Sequence, residues 1–170
     1  MGLLEEIKAK AAARKKTIVL CEGEDSRVVE AAAEITKEGI AKIVLIGNAE
    51  ECKKVAPHVD LKGVTLIDPL TSDKTAVYAD ILYQARKAKG MTGEQAREQA
   101  KDRTMFGALM LKAGDVDGYV SGACHSTANT LRPGLQVVKT APGISTVSSC
   151  FIMLAPEGKN EYNPDGVAVF

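Results

Sequence analysis

Short apolar runs separated by longer amphipathic segments dominate the first half of the sequence. Residues 17–21, 42–46 and 64–67 are largely apolar, the pattern of strands that are covered on both faces. Residues 28–37 carry apolar side chains at helical spacing and are followed by Gly39, which favours a helix that ends at this glycine. Buried strands that alternate with helices predict βαβ units and a mainly parallel sheet. Ligands of such sheets bind beyond the carboxyl ends of the strands.

The rest of the pattern predicts an opening helix and a long helical region in the middle of the chain. Leu4, Ile7 and Ala11 fall on one face of a helix over residues 1–14. Helices are also predicted for residues 74–89, 105–112 and 127–139, and strands for residues 118–122 and 144–154. Residues 165–170 have the pattern of a turn and an apolar strand without a polar tail. We therefore expect that the chain is cut inside a strand.

The charge balance argues against binding modes that need a large net charge. The chain has 170 residues, with 22 Lys and Arg against 22 Asp and Glu. A neutral chain lacks the sustained attraction for phosphate backbones that nucleic-acid binding requires, so we expect no nucleic-acid partner. No apolar run reaches the roughly 20 residues that cross a bilayer, so we expect no membrane partner. An anionic ligand must therefore be bound by a local group of residues.

The cysteines and histidines indicate free thiols rather than disulfides or a metal site. The four cysteines lie far apart without a CxxC pair, and the start of the chain does not resemble a signal peptide. This pattern predicts a reduced, cytoplasmic protein. Two histidines and scattered cysteines give no zinc spacing. Glu22, Glu24 and Asp25 could suggest a metal, but a helix N-terminus attracts carboxylates anyway, so no metal is predicted.

Cys124 and His125 are adjacent and invite comparison with a thiol nucleophile and its base. A nucleophile and its base must meet within hydrogen-bonding distance. We expect neighbouring side chains at a loop or helix start to diverge. Cys124 is therefore interpreted as a structural thiol, or one that lies beside a site without reacting.

The fourth predicted strand leads into the most informative chemistry. Gly122 and Ala123 are followed by Ser126 and Thr127 at a helix start, so backbone N–H groups and the helix dipole can point at a bound anion. Arg132 lies about a turn and a half into this helix and can supply a forked donor to phosphate if it reaches back. A plain junction in which the two hydroxyl residues only cap the helix explains the same pattern and stays open. The sequence contains neither a Walker motif nor a GxGxxG motif, so no nucleotide cofactor is indicated.

Two neighbouring segments then carry a resemblance to a known family. Residues 120–136 read VSGACHSTANTLRPGLQ and residues 139–143 read KTAPG. This long, ungapped run closely resembles the central motif of phosphate acetyltransferases. The similarity extends to residues 18–20, 22–27, 86–92 and 147–151, and so to nearly the whole chain. Family members continue into a second half, so the resemblance implies that residues 1–170 are the N-terminal part of such a protein and that the second half is absent.

The resemblance also implies a fold, a reaction and partners. The fold would be the three-layer, mainly parallel α/β architecture of the isocitrate and isopropylmalate dehydrogenase-like proteins, here in truncated form. The reaction would be reversible transfer of an acetyl group between coenzyme A and inorganic phosphate, by direct thiolate attack in a ternary complex. Coenzyme A, acetyl-CoA, acetyl phosphate and phosphate would be substrates, and no cofactor would be permanently bound. The family also suggests a homodimer.

Residue roles follow from the same resemblance. Arg132 matches the family arginine assigned to the phosphate end of the substrate, and Arg86 matches one assigned to coenzyme A. Further candidates are Ser126 and Thr127 for catalysis and Ser121, Gly122 and His125 for substrate binding. Without the resemblance, Arg86 with Lys87 and Lys89 is most simply a solvated basic helix end. The general base of the family lies in the second half, so we expect residues 1–170 alone to have little or no turnover.

Two alternative functions remain. One is phosphate butyryltransferase, although the HSTANTLRP run argues against it, and a panel of acyl chains would separate the two. The other is a noncatalytic acyl-CoA-sensing module, like the phosphotransacetylase-like domain of some malic enzymes. Binding of acyl-CoA without formation of acetyl phosphate would favour the module.

Overall fold

The computed structural model describes residues 2–154 and 167–169, and the chain divides into two compact units, Met1–Lys139 and Thr140–Phe170. The first unit contains, in chain order, α1 (Leu3–Arg14), β1 (Thr17–Leu20), α2 (Ser26–Glu38), β2 (Lys42–Ile46), α3 (Ala49–Val55), β3 (Thr65–Ile67), α4 (Thr75–Arg86), α5 (Gly93–Gln99), α6 (Arg103–Ala113), β4 (Gly118–Val120) and α7 (Thr127–Pro133). A 3-10 turn, Lys87–Lys89, follows α4, and a π-helical segment, Gly134–Val138, follows α7. The second unit contains β5 (Ile152–Leu154) and β6 (Val167–Val169), which pair antiparallel.

The four strands of the first unit form one parallel sheet in the order β3-β2-β1-β4. Leu20 of β1 is level with Leu45 of β2 and with Val120 of β4. Because β1 and β4 are adjacent and parallel, their carboxyl ends lie side by side. The two loops that follow these strands are therefore neighbours. The predicted α/β class with a parallel sheet is confirmed.

Alternate side chains of the central strands enter two separate cores. Val19 and Val44 are buried on one face of the sheet, together with side chains of α4, α5 and α6. Leu20 and Leu45 are buried on the other face, together with side chains of α2 and α3. Because side chains alternate along a strand, continuous apolar runs are the pattern expected for a sheet covered on both faces. The first unit therefore has three layers, with helices on both sides of the sheet, as the resemblance implies.

The first helix forms where it is predicted, but its apolar face is not buried. Leu4 is 58% exposed and Ile7 is 47% exposed, and α1 has no buried residue. The core on the adjacent face of the sheet is formed by α2, α3 and the strands. Helical periodicity is a local property of the sequence, whereas burial needs a partner surface.

Within the described residues, no helix has the length and apolarity needed to span a membrane.

The predicted helix over 127–139 changes type after Pro133. Proline lacks the N–H that would bond one turn back, and its ring crowds the preceding carbonyl. From Gly134 the chain forms wider, π-type bonds, and the Lys139 N–H donates to the Gly134 carbonyl at 2.9 Å. Such π segments are uncommon and often occur at functional sites. The prediction of a continuous α-helix here is wrong.

The predicted strand over 144–154 is also too long. Only Ile152–Leu154 is a strand in this range, and each of its residues pairs with one in Val167–Val169. Ile144 instead donates its N–H to the Ala141 carbonyl in a turn that contains Gly143 at φ +82°. Residues with high β-propensity form a strand only where a second strand pairs with them. Residue 170, at the end of the predicted last strand, lies outside the described residues.

Gly107 allows α6 to lie directly against β1 and β4. A Cβ atom at this position would collide with Sγ of Cys21 and would lie 3.2 Å from the ring of Tyr119. Gly107→Ala is therefore expected to lower the free energy of unfolding by about 1–3 kcal/mol, because overpacking exceeds the gain in helix propensity. Urea unfolding followed by circular dichroism measures this. The control is Gly93→Ala in α5, whose added Cβ meets nothing within 4 Å. Equal effects of the two substitutions would contradict the prediction.

Candidate anion-binding site

The loops that follow β1 and β4 are held together by the buried carboxylate of Glu22. The Gly122 and Ala123 N–H groups both donate to Oε2 at 2.9 Å, and the Cys124 N–H donates to Oε1 at 3.0 Å. Nδ1 of His125 lies 2.8 Å from Oε1. Glu22 is 1% exposed. Its carboxylate is thus bound by a concave group of backbone amides of the kind that binds anions.

The electrostatics of this contact favour the ionised carboxylate. Burial by itself raises the pKa of Glu22. Hydrogen bonds from the Cys124 N–H, the His125 side chain and the Ala123 and Gly122 N–H groups outweigh burial and lower this pKa to about 2. Glu22 is therefore a carboxylate at neutral pH and can only accept hydrogen bonds. Nδ1 of His125 must then be the donor of the contact between the two side chains.

This arrangement corrects one expectation about the turn. The backbone amides of Gly122 and Ala123 were expected to point at an external anion, but the protein's own Glu22 accepts both. Gly122 has φ +116°, a conformation that favours glycine. A distant carboxylate cannot be recognised from the local pattern, because Glu22 and Gly122 are 100 positions apart in the sequence.

Two arginines from neighbouring helices, Arg27 of α2 and Arg103 of α6, make further charged contacts around the turn and the loop after β1. Arg27 donates through Nη2 to the Ala123 carbonyl at 2.8 Å and to Oδ2 of Asp25 at 2.6 Å. Arg103 forms ion pairs with both Glu24 and Glu51. The carboxylates of this loop therefore have protein partners, and the structure gives a reason for the acidic run that does not involve a metal.

The start of α7 confirms the capping interpretation of Ser126. Its Oγ accepts from the Asn129 N–H at 3.3 Å, as an N-cap residue does. Thr127 is the first residue of the helix, and its side chain makes no hydrogen bond with the described part of the chain. The two hydroxyls therefore differ: one holds the helix start, and the other has no bond to the described residues.

Two clefts meet at Arg132, which is carried by α7. One cleft, of about 510 Å³, is lined by Arg86, Lys89 and Arg132 together with uncharged side chains. The other, of about 380 Å³, is lined by Arg132, His125, Asp102 and uncharged side chains that include Gln136. Among the described residues, neither Arg86 nor Arg132 forms an ion pair. The first cleft thus collects three cations with no acidic side chain in its lining.

Three buried polar atoms have no hydrogen-bond partner among the described residues: Nε of Arg86, Oγ of Ser121 and Oε1 of Gln136. Buried polar groups are usually paired, so those without a partner indicate a place for a ligand, a water molecule or another part of the protein. Arg86 and Gln136 both line the cationic cleft. Ser121 instead lines an apolar groove with Arg14, Arg27 and Ile18 and is not part of the lining of either cleft at Arg132.

The thiol of Cys124 lies closer to His125 than expected. Sγ is 3.6 Å from Nδ1, so the argument that the two side chains diverge is wrong. The same nitrogen is 2.8 Å from Glu22. Burial and then the nearby carboxylates of Glu24 and Glu22 raise the pKa of the Cys124 thiol to about 11. A protonated thiol is a poor nucleophile, so the chemistry does not favour a reactive cysteine.

Glu22, Cys124 and His125 also place possible metal-ligand atoms within 4.8 Å of one another. The carboxylate oxygens already accept three backbone N–H groups and the imidazole. A metal would have to displace these donors or compete with them for the same lone pairs. The hydrogen-bonded interpretation explains every contact without an ion.

Comparison with known proteins decides the family. The sequence profile of the family described as phosphate acetyl/butaryl transferase matches residues 2–169. The chain belongs to this family. A phosphate acetyltransferase of Acetivibrio thermocellus is 52% identical over all 170 residues, which make up 51% of that relative. A phosphate acetyltransferase of Haemophilus influenzae is 46% identical over 93% of this chain and 23% of its own length.

A solved structure agrees with the phosphate acetyl/butaryl transferase assignment. The EutD phosphotransacetylase from Staphylococcus aureus superimposes with a TM-score of 0.83 at 36% identity, covering 92% of this chain and 48% of that protein. The chain thus spans about half the length of the first relatives that it matches. Arg86, Arg132 and His125 were candidates from the sequence, whereas neither the contact of Glu22 with the turn nor the place of Gln136 in both clefts was predicted. Gln136 lies within the run that resembles the family, so only that resemblance could have drawn attention to it.

Proposed function

We propose that this chain is part of a phosphate acetyltransferase, which converts acetyl-CoA and phosphate reversibly to coenzyme A and acetyl phosphate. The observation that carries the proposal is the cleft in which Arg86, Lys89 and Arg132 meet without an acidic neighbour, in a chain of this family. Coenzyme A carries several phosphate groups, and the second substrate is an anion. Clustered cations without acidic partners favour such ligands. The relatives named above are acetyltransferases, which favours acetyl over butyryl transfer.

The proposed reaction needs charge neutralisation and precise placement more than a covalent role for the protein. The coenzyme A thiolate forms a bond to the carbonyl carbon of acetyl phosphate, and the resulting tetrahedral species breaks its bond to the phosphate oxygen. Phosphate leaves with that electron pair. We assign Arg132 to the phosphate and Arg86 to coenzyme A, so that both substrates are held in one ternary complex. Removal of the thiol proton is assigned to a group outside this chain.

The other site residues have different positions relative to these arginines. His125 shares a cleft with Arg132 and is assigned to the phosphate end of the substrate. Ser126 and Thr127 start the helix that carries Arg132, and we assign them to the placement of this arginine. Ser121 and Gly122 remain substrate-binding candidates from the resemblance, but the Gly122 N–H is already donated to Glu22.

We also propose a cytoplasmic location and a homodimer. All four cysteines are free, which supports a reducing compartment. The exposed apolar side chains of α1, Leu4 and Ile7, support a further contact between chains or with the rest of a longer protein. Analytical ultracentrifugation at several concentrations tests the dimer, and a single monomeric species throughout would contradict it.

The activity test compares the chain alone with a longer polypeptide. We would join this chain to the remaining part of the Acetivibrio thermocellus relative and measure formation of acetyl phosphate from acetyl-CoA. The joined protein is expected to turn over, whereas the 170-residue chain should bind coenzyme A and phosphate with little or no turnover. Binding of acyl-CoA by a joined protein that never forms acetyl phosphate would instead support a noncatalytic module.

A further inference from the structure

We infer that Glu22 is a positioning residue for His125, and that it leaves Nε2 of the imidazole to accept a hydrogen bond from the hydroxyl of hydrogen phosphate beside Arg132. This inference rests on the proposed function, because it concerns how the same site recognises phosphate. It adds a residue from the loop after β1 to a site whose other members follow β4 or belong to the helices.

The contact with Glu22 determines the tautomer of His125. The carboxylate of Glu22 accepts and cannot donate, and it lies 2.8 Å from Nδ1. The proton of a neutral imidazole is therefore on Nδ1, and the lone pair is on Nε2. This logic is general for histidines whose tautomer is fixed by a carboxylate partner. The turn at residues 122–124 is fixed by the same carboxylate, so ring and backbone are held as one unit.

The surroundings of Nε2 leave its lone pair available. The carboxylate of Glu24 lies 4.0 Å from this atom, which is beyond hydrogen-bonding distance. His125 and Arg132 line the same cleft. An anion bound by the guanidinium in this cleft therefore shares the cleft with the imidazole, whose Nε2 can accept a hydrogen bond. Asp102 also lines the cleft, but its Oδ1 already accepts from the Thr104 hydroxyl and the Met105 N–H.

An acceptor in this cleft favours an anion that carries a proton. Near pH 8, inorganic phosphate is mainly a dianion that still carries one hydroxyl, whereas sulfate is a dianion of similar shape without one. An acceptor such as Nε2 distinguishes them, because a site built to bond a hydroxyl discriminates strongly against an analogue that lacks it. The pair of Glu22 and His125 therefore predicts selection of hydrogen phosphate over sulfate.

The test uses the 170-residue chain and two readouts. Nitrogen-15 NMR at pH 8 reports the tautomer of His125, and the chain has only two histidines to assign. Calorimetric titration with inorganic phosphate and with sulfate reports selection. We expect the Nδ1–H tautomer and at least about tenfold tighter binding of phosphate in the unmodified chain. Glu22→Gln should reduce both the tautomer preference and the selection.

A second variant and a control test the same inference independently of Glu22→Gln. If Glu22→Gln does not fold, His125→Asn removes Nε2 while Glu22 keeps its backbone partners, and it should abolish selection. The control is Glu30→Gln, since Glu30 lies 3.3 Å from His58 in an exposed pair. This variant should leave both the tautomer of His125 and the selection of phosphate over sulfate unchanged. Unchanged selection in His125→Asn, or an unchanged tautomer in folded Glu22→Gln, would overturn the inference.

The outcomes also separate this inference from the proposed function. If the unmodified chain binds phosphate and sulfate equally, and Arg132→Ala abolishes both, the inference is wrong and the proposed phosphate site stands. If the unmodified chain binds neither anion nor coenzyme A, the proposed function of these residues is wrong, and the inference is overturned with it.

Discussion

Arg132→Ala is expected to abolish most of the phosphate affinity of the chain. The guanidinium lies where two clefts meet and forms no ion pair with the described residues, although Asp102 lines one of the clefts, so its charge is available to a ligand. A charge-assisted hydrogen bond contributes about 1.5–3 kcal/mol, which corresponds to a loss of roughly 10- to 100-fold in affinity. In the joined polypeptide, turnover should fall by about 10²–10³-fold, because the arginine also stabilises charge in the transition state. Calorimetry and the acetyl phosphate assay measure the two effects.

Matched arginine variants test whether this effect is specific. Arg97→Ala removes an exposed arginine of α5 and should leave both readouts unchanged. Arg132→Lys keeps the charge but loses the planar fork, so an intermediate effect is expected. Arg86→Ala should mainly raise the KM for coenzyme A, by about tenfold, with a smaller effect on kcat. If Arg132→Ala and Arg97→Ala bound phosphate with equal affinity, Arg132 would not be part of the phosphate site.

Glu22→Gln is expected to cause a large, pH-dependent loss of stability. The pKa of Glu22 is lowered from 4.5 to about 2, so folding favours the ionised form. The stabilisation is fully present above about pH 4.5 and is lost as the pH falls toward 2, and it amounts to about 3 kcal/mol. At pH 7 the free energy of unfolding of the variant should therefore be about 3 kcal/mol lower than that of the unmodified chain. The reason is that a carboxamide cannot replace a carboxylate that accepts hydrogen bonds from three backbone amides.

The measurement is urea unfolding of both proteins at several pH values between 7 and 2.5. The difference in unfolding free energy should shrink steadily below about pH 4.5, since protonation of Glu22 removes the same interaction from the unmodified chain. Comparison with Glu30→Gln accounts for other carboxylates, because Glu30 is about half exposed and its one ion pair among the described residues is with His58. A difference that stays constant down to pH 2.5 would show that the contact is not electrostatic.

The local pattern predicted the sheet because a strand that is buried on both faces has a continuous run of apolar residues. Residues 42–46 were predicted as a strand, and β2 has the same bounds. The helix ends were also predictable where capping chemistry is local, as at Gly39, which was predicted to end the helix over residues 28–37 and is the C-cap of α2 at φ 68°. The pattern failed at Pro133 and at residues 144–151. At Pro133 a missing N–H changed the helix type, and residues 144–151 have no partner strand in the described part of the chain.

The candidate site divides in the same way. Arg86 and Arg132 were found through a motif, because the residues around each are contiguous in the sequence. Their meeting in one cleft was not predictable from the pattern, since α4 and α7 are brought together only by packing. Glu22 was considered only as part of an acidic helix start. Its role as the partner of the turn depends on the parallel pairing of β1 with β4.

The sequence by itself determined the order of elements, the burial of the strands and the family, because these depend on residues near one another along the chain or on a contiguous motif. The tertiary structure decided which anion occupies the turn after β4, which ring nitrogen of His125 contacts Glu22, and which cations share a cleft. The contact of Glu22 with Gly122 spans 100 positions, and Arg86 and Arg132 are 46 positions apart. Such distant contacts leave no periodicity in a single sequence. Hydrogen bonds and charges act through space, so only the fold could place Glu22 against the amides that were expected to hold a ligand.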